Sequence, residues 1–305
     1  MNYRHAYHAG NFADVLKHAV LVRVIEYMKR KDTPFRVIDT HAGAGRYALT
    51  SRQATSTGEW QAGIARLLGP MARPLPPAAA GYLAPYLEAV KAENCPLRLA
   101  VYPGSPSIAL RLLRPQDRLI ANELHPEALA QLRAAIGRDP RAKLLALDAF
   151  VALKSLLPPK ERRGVVLIDP PFEAPGELLR VADGLAAALK RFATGIYIAW
   201  YPGKDAKAIN RFHSNLASLA AERVLRVEMH IQRPERADRL TGCGLIIVNP
   251  PYGLESELAT LLPVLSRLLS QQPTGAGYRL DFLGNGVKTA ANSRAPAKQR
   301  VRPSR

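Results

Sequence analysis

Short apolar runs that end on an acidic residue recur along the chain, at residues 35–39, 117–123, 143–148 and 165–169. Runs of this length predict buried parallel strands. Further apolar runs at 195–200, 223–231 and 244–249, with a final candidate at 278–283, extend the set. Near the amino terminus the period changes to that of a helix. From about Asp14, the residues Leu16, Val20, Leu21, Val24, Ile25 and Met28 fall on one stripe. Lys17 lies inside that stripe and His18 at its edge, so Lys17 either snorkels from the first turn or points into a site with His18. Strands alternating with helices predict an α/β fold, a doubly wound sheet around one large core. Residues from about 52 to 97, rich in Ala, Leu and Pro, interrupt this alternation and predict a small helical insertion subdomain.

The ends of the predicted strands carry the candidate chemistry, because open α/β sheets bind ligands outside the carboxyl ends of their strands. Asp39, Glu123, Asp148 and Asp169 line such a rim in order, suited to ribose hydroxyls at Glu123 and an adenine amine at Asp148. Each is equally suited to capping a helix. Gly43-Ala44-Gly45 follows the first strand and allows a sharp turn and a close backbone approach. The segment also matches G-x-G-x-x-A, yet no acidic strand end follows at the distance a dinucleotide fold requires, which argues against a nicotinamide enzyme. The tetrapeptide Asp169-Pro170-Pro171-Phe172 is the most specific feature. Its prolines leave carbonyls without competing amides, and Phe172 offers a face to a planar ring. A carboxylate and a carbonyl accepting both hydrogens of an exocyclic amine would free its lone pair for attack. Asn249-Pro250-Pro251-Tyr252 has the same form after another strand and is a second candidate for that signature.

Together the glycine loop and acidic strand ends resemble the S-adenosylmethionine site of class I methyltransferases, with Asp-Pro-Pro-Phe as the amino-methyltransferase signature. Residues 3–18, 39–47, 102–106, 123–126 and 191–197 resemble one family in particular, the RlmJ family of 23S ribosomal RNA (adenine-N6)-methyltransferases. The likeness runs from Tyr3 to about Pro251. It implies a Rossmann-like seven-stranded sheet whose last strand, 244–249, is antiparallel, so that Asn249 points away from the cofactor rim and its tetrapeptide is a structural turn. It further implies that His18, His41, Ser105, Glu123, Asp148 and Ala149 contact S-adenosylmethionine. Asp169 becomes catalytic and Tyr3 reaches toward the substrate RNA, where the tetrapeptide itself places Pro170 and Phe172 and the helix register offers Lys17. Position 172 is Phe where the family commonly has Tyr, and 149 is Ala where Gly is familiar. The first change keeps the stacking face; the second matters only if the backbone there has positive φ.

Charge agrees with a nucleic-acid substrate: 43 Lys and Arg against 25 Asp and Glu give +18. Basic residues cluster at 133–143, 160–163 and 233–239, the last expected on the rim of Asp169. Residues 285–305 carry six Lys or Arg and no acid, predicting a disordered tail after a methyltransferase domain of residues 1–284. Two cysteines without metal spacing predict no metal and a reducing cytoplasm, and no apolar run spans a membrane. The expectation is a cytoplasmic monomer that flips an adenosine of 23S ribosomal RNA from its stack and methylates N6. The rivals are a DNA adenine-N6 methyltransferase and a noncatalytic RNA-binding protein.

Overall fold

Asn11 starts the first long helix: its side chain accepts hydrogen bonds from the amides of Ala13 and Asp14, two of the donors a helix start leaves without partners. In the computed structural model, which describes residues 4–70, 72–96, 98–233 and 240–284, this helix is α1 (Phe12–Lys29). It is followed by β1 (Arg36–Asp39), β2 (Arg46–Ala48), α2 (Arg52–Thr57), α3 (Ala65–Leu68), α4 (Pro77–Lys91), β3 (Val101–Pro103), α5 (Ser105–Leu112), β4 (Arg118–Asn122) and α6 (Pro126–Ile136). The second half comprises β5 (Ala142–Leu145), α7 (Ala149–Leu156), β6 (Gly164–Ile168), α8 (Glu177–Arg191), β7 (Ile196–Pro202), α9 (Ala206–Ala217), β8 (Val224–His230), β9 (Gly242–Val248), α10 (Leu254–Leu269) and β10 (Gly277–Leu283).

The main sheet runs β10-β8-β9-β7-β6-β1-β4-β5. Pairs from β7 through β5 are parallel, whereas β9 is antiparallel to both β7 and β8. The sheet therefore has eight strands rather than the expected seven. The extra one is β10, which pairs antiparallel with the free edge of β8. Register there is pinned by Arg226, opposite Asp281 and bonded to both its oxygens at 2.7 and 2.6 Å.

Alternate residues of each strand face opposite ways, and two apolar layers follow. Val37, Leu119, Val165, Leu167 and Ile198 pack with α1, α4, α5, α6 and α10. Ile38, Ile120, Val166, Ile168 and Ala199 pack with α7, α8 and α9. Helix α1 is buried almost all round, including the whole predicted stripe. Each fully buried Leu or Val there contributes about 1.5–3 kcal/mol by apolar burial. The helices of residues 52–97 spring from a ribbon of β2 and β3, and Leu83, Tyr86 and Val90 of α4 join the α1 side of the core. Among the described residues no helix is long and apolar enough to cross a membrane.

Candidate active site

A cavity of about 460 Å³ opens along the carboxyl ends of β1, β4, β6 and β7, roofed by the start of α1 and the turn before it. Asp169 follows β6 directly. Lys17, one turn into α1, donates to Asp169 Oδ2 at 2.5 Å and to Asp14 Oδ1 at 2.9 Å. Asp14 Oδ2 also accepts from the Gly10 amide, and His5 Nε2 lies 2.9 Å away. Burial alone would push the Asp14 carboxyl up, but the charges of His5 and Lys17 hold it well below the usual range. Burial would likewise lower Lys17, yet Asp14 and Asp169 keep its ammonium well above its ordinary value. A charge this buried needs its partners, which decides between the two readings of Lys17: it reaches into the site. Asp14 was not singled out in the sequence; its signal is the three-residue spacing to Lys17 on one helix face.

Asp39, at the end of β1, is buried and accepts from Ser105 Oγ at 2.6 Å and from the His41 amide at 3.2 Å. Burial raises its carboxyl to about 7 against those two hydrogen bonds. Gly43 donates to Glu123 Oε2 at 2.8 Å, while the other oxygen of Glu123 accepts from the His125 amide at 2.7 Å. Gly43 has φ +63, and a Cβ there would meet Tyr47 Oη at 2.2 Å; only glycine lets this loop lie so close to the cavity. His18 and His41 both line it, and burial pulls them down to about 3 and about 4. Both rings are neutral at pH 7. His18 Nδ1 is 2.7 Å from Tyr102 Oη, and its buried Nε2 has no hydrogen-bond partner.

Asp148 and Ala149 stand at the start of α7, beside the cavity. Asp148 caps α7 through the amides of Phe150 and Val151 and meets Arg180 at 3.3 Å. Neither residue lines the cavity, although the charge of Asp148 reaches His41. A residue just past a strand and just before a helix satisfies orphan amides first. Ala149 is the first residue of α7 and lacks positive φ, so alanine costs nothing there.

On the far side, Pro170, Pro171 and Phe172 line the cavity together with Trp200, a residue the sequence reading did not single out. The Phe172 and Trp200 rings stand 5.5 Å apart at 58°, forming an aromatic corner. Phe172 has φ +51, a left-handed conformation that costs a nonglycine residue energy and concentrates at functional sites. Arg233, after β8, and Leu240, before β9, lie on the same rim beside the end of β7. Tyr3, residues 234–239 and the tail 285–305 lie outside the described residues. The cluster 160–163 precedes β6 and so stands at the opposite edge, where Arg163 holds the carbonyl of Met28. Asn249 is also there: it follows antiparallel β9 and donates to the carbonyls of Ala193 and Gly195. Its tetrapeptide is a structural turn.

With this geometry in place, comparison with known proteins is specific. Residues 32–283 match the family described as ribosomal RNA large subunit methyltransferase D, RlmJ. The chain is 43% identical over 278 residues to ribosomal RNA large subunit methyltransferase J of Escherichia coli K12, covering 91% of this chain and 96% of that one. It is 38% identical to the protein of the same name from Haemophilus influenzae, over 90% of this chain and 96% of that one. Among solved structures, protein LPL1258 of Legionella pneumophila superposes with a TM-score of 0.81 at 33% identity, covering 90% of this chain and 98% of that one. The chain therefore belongs to the RlmJ family of large-subunit ribosomal RNA methyltransferases.

Proposed function

We propose that this chain transfers a methyl group from S-adenosylmethionine to N6 of an adenosine in 23S ribosomal RNA, acting as a cytoplasmic monomer. The observation that carries the reading is Asp169, clamped by Lys17 at the mouth of a cavity that also presents Pro170, Phe172 and Trp200. The residues fit the cofactor. Glu123 is held by two amides and retains lone pairs for ribose hydroxyls. His18 Nε2 is a buried polar atom with no partner, and Gly43 keeps the loop between them clear. His41 and Ser105 complete this half, with Asp148 and Ala149 one step outside it at the start of α7.

When bound, the cofactor supplies a methyl group on a sulfonium, whose sulfur keeps the bonding pair as a nucleophile takes the carbon. The protein's task is to make an amine into that nucleophile and aim it. Lys17 occupies Asp169 Oδ2, holding the side chain fixed while Oδ1 accepts one amine hydrogen. The Pro170 carbonyl accepts the other, and the lone pair then points out of the base plane. Phe172 and Trp200 hold the flipped base, whose extrusion costs a few kcal/mol. As the N–C bond forms, N6 becomes acidic and its proton passes to Asp169 Oδ1. Positioning carries much of the rate, since attack must be in line with the bond that breaks.

The deciding experiment supplies labelled S-adenosylmethionine with protein-free large-subunit ribosomal RNA or with DNA, followed by nucleoside analysis. N6-methyladenosine from RNA alone is the expected outcome. Deoxynucleoside product would move the substrate to DNA, and no product from either would make the chain a binding protein.

A further inference from the structure

The helices of residues 52–97 touch the cofactor half of the site through one chain of hydroxyls. Tyr86 of α4 and Tyr102 of β3 are both fully buried. Tyr86 Oη lies 2.9 Å from Tyr102 Oη, which lies 2.7 Å from His18 Nδ1. The imidazole also stacks on the Tyr102 ring, with centroids 5.6 Å apart and planes at 25°. Among the described residues the Tyr86 hydroxyl has no other partner.

Burial keeps His18 neutral, so the ring carries a single N–H, on either Nδ1 or Nε2. Suppose the proton is on Nδ1. It must then donate to Tyr102, and one of the two tyrosine protons has no acceptor in a dry interior, at the full desolvation cost of that group. With the proton on Nε2, Tyr86 donates to Tyr102, Tyr102 donates to Nδ1, and every buried O–H is used. The hydrogen bond at one ring nitrogen determines the state of the other. Nε2 is then an N–H donor without an acceptor, in a ring that walls the cavity.

We infer that Tyr102, backed by Tyr86, is a positioning residue that fixes His18 as an Nε2–H donor for the carboxylate at the amino-acid end of the bound cofactor. The assignment rests on the S-adenosylmethionine reading. Of the acceptors on that molecule the carboxylate alone is anionic, and an ionised acceptor makes the stronger hydrogen bond to an N–H donor. The ribose hydroxyls have their own partner in Glu123. Residues 52–97 thereby gain a role at the site, since α4 supplies the hydroxyl at the outer end of the chain.

The test has two arms on the full-length protein. The first is the nitrogen spectrum of 15N-histidine-labelled protein without ligand, with His18 assigned by its loss in His18→Gln. The expected spectrum shows an unprotonated Nδ1 and a protonated Nε2, turning to a mixture of tautomers in Tyr102→Phe. The second arm measures calorimetric Kd for S-adenosylhomocysteine and for 5′-deoxy-5′-methylthioadenosine, which lacks the carboxylate. Tyr102→Phe should weaken the first by about three- to tenfold, the scale of one hydrogen bond, and leave the second unchanged. The double variant Tyr86→Phe, Tyr102→Phe strands no hydroxyl and serves if the single variant unfolds; it should behave alike in both arms. A wild-type Nδ1–H tautomer, or equal loss for both ligands, overturns the inference. If wild type binds neither ligand, the cofactor reading and the carboxylate assignment fall together, while the spectra still decide the tautomer.

Discussion

Asp169 and Asp39 are carboxylates at the ends of adjacent strands, yet their surroundings give them different tasks. Asp169 has a cation on one oxygen; Asp39 has only a hydroxyl and an amide. Replacing Asp169 with Asn keeps the shape and removes the charged acceptor. Methyl transfer should fall by about 10²- to 10⁴-fold, with S-adenosylhomocysteine affinity and thermal unfolding near wild type because Lys17 keeps Asp14. Turnover close to wild type would overturn the role. Asp39 predicts a pH effect. Its folded value near 7 lies above its unfolded value of about 3.8, so its contribution to stability is fully present at low pH and is lost as pH rises through 7. His18 and His41, lowered to about 3 and about 4, act oppositely: stability they confer above about 6.5 is lost on acidification. Wild type therefore gains on one group as it loses on two. In Asp39→Asn the gain is gone, and stability from urea midpoints should fall more steeply between pH 7 and pH 4, with the gap from wild type growing by up to about 4 kcal/mol. Parallel pH profiles would exclude this role for Asp39.

At the scale of elements, α1 delivers the site, because Asp14, Lys17 and His18 all sit in its first two turns behind the Asn11 cap. Asn11→Ala should cost about 1–2 kcal/mol, read as a lower denaturant midpoint at unchanged slope, and should raise the cofactor Kd through the same displaced turn. Unaltered affinity would show that α1 is held by packing alone. This helix also marks the limit of what the chain reveals before it folds. The apolar stripe and the odd position of Lys17 are visible in the sequence because helical period is local. That Lys17 meets Asp169, 152 positions away, depends on how α1 crosses the sheet, which no local pattern records. The acidic strand ends were legible because position after a strand is local, whereas the helix cap that Asp148 forms depends on which amides lie nearby. Trp200 reads as one more residue of a buried strand, and only pairing of β6 with β7 brings it against Phe172. The antiparallel direction of β9 followed from the family resemblance; the pairing of β10 on β8 required the free edge that this order leaves.

For the whole molecule, the question is how a net charge of +18 is divided between fold and substrate. Much of the basic side chain at the edge opposite the cavity is committed: Arg36 pairs with Glu161, Arg114 with Asp117, and Arg141 with Asp139. Those pairs orient loops and leave little field for a phosphate chain. Lys204 stands on the cavity wall, and residues 285–305, outside the described part, hold six Lys or Arg and no acid in sequence. Phosphate contacts of this kind raise affinity without specifying sequence, and each releases counterions, so the slope of log affinity against log salt counts them at about 0.7 per contact on a single strand. Removing residues 285–305 should therefore flatten the salt dependence of RNA binding by up to about 4 units if all six contacts form, with kcat at saturating RNA unchanged. Lys204→Ala should flatten it by less than one unit and also raise KM, because its contact lies beside the base rather than along the flanking strand. A slope unaffected by truncation would place RNA binding entirely on the rim, and the six charges at the end of the chain would then have no part in holding the substrate.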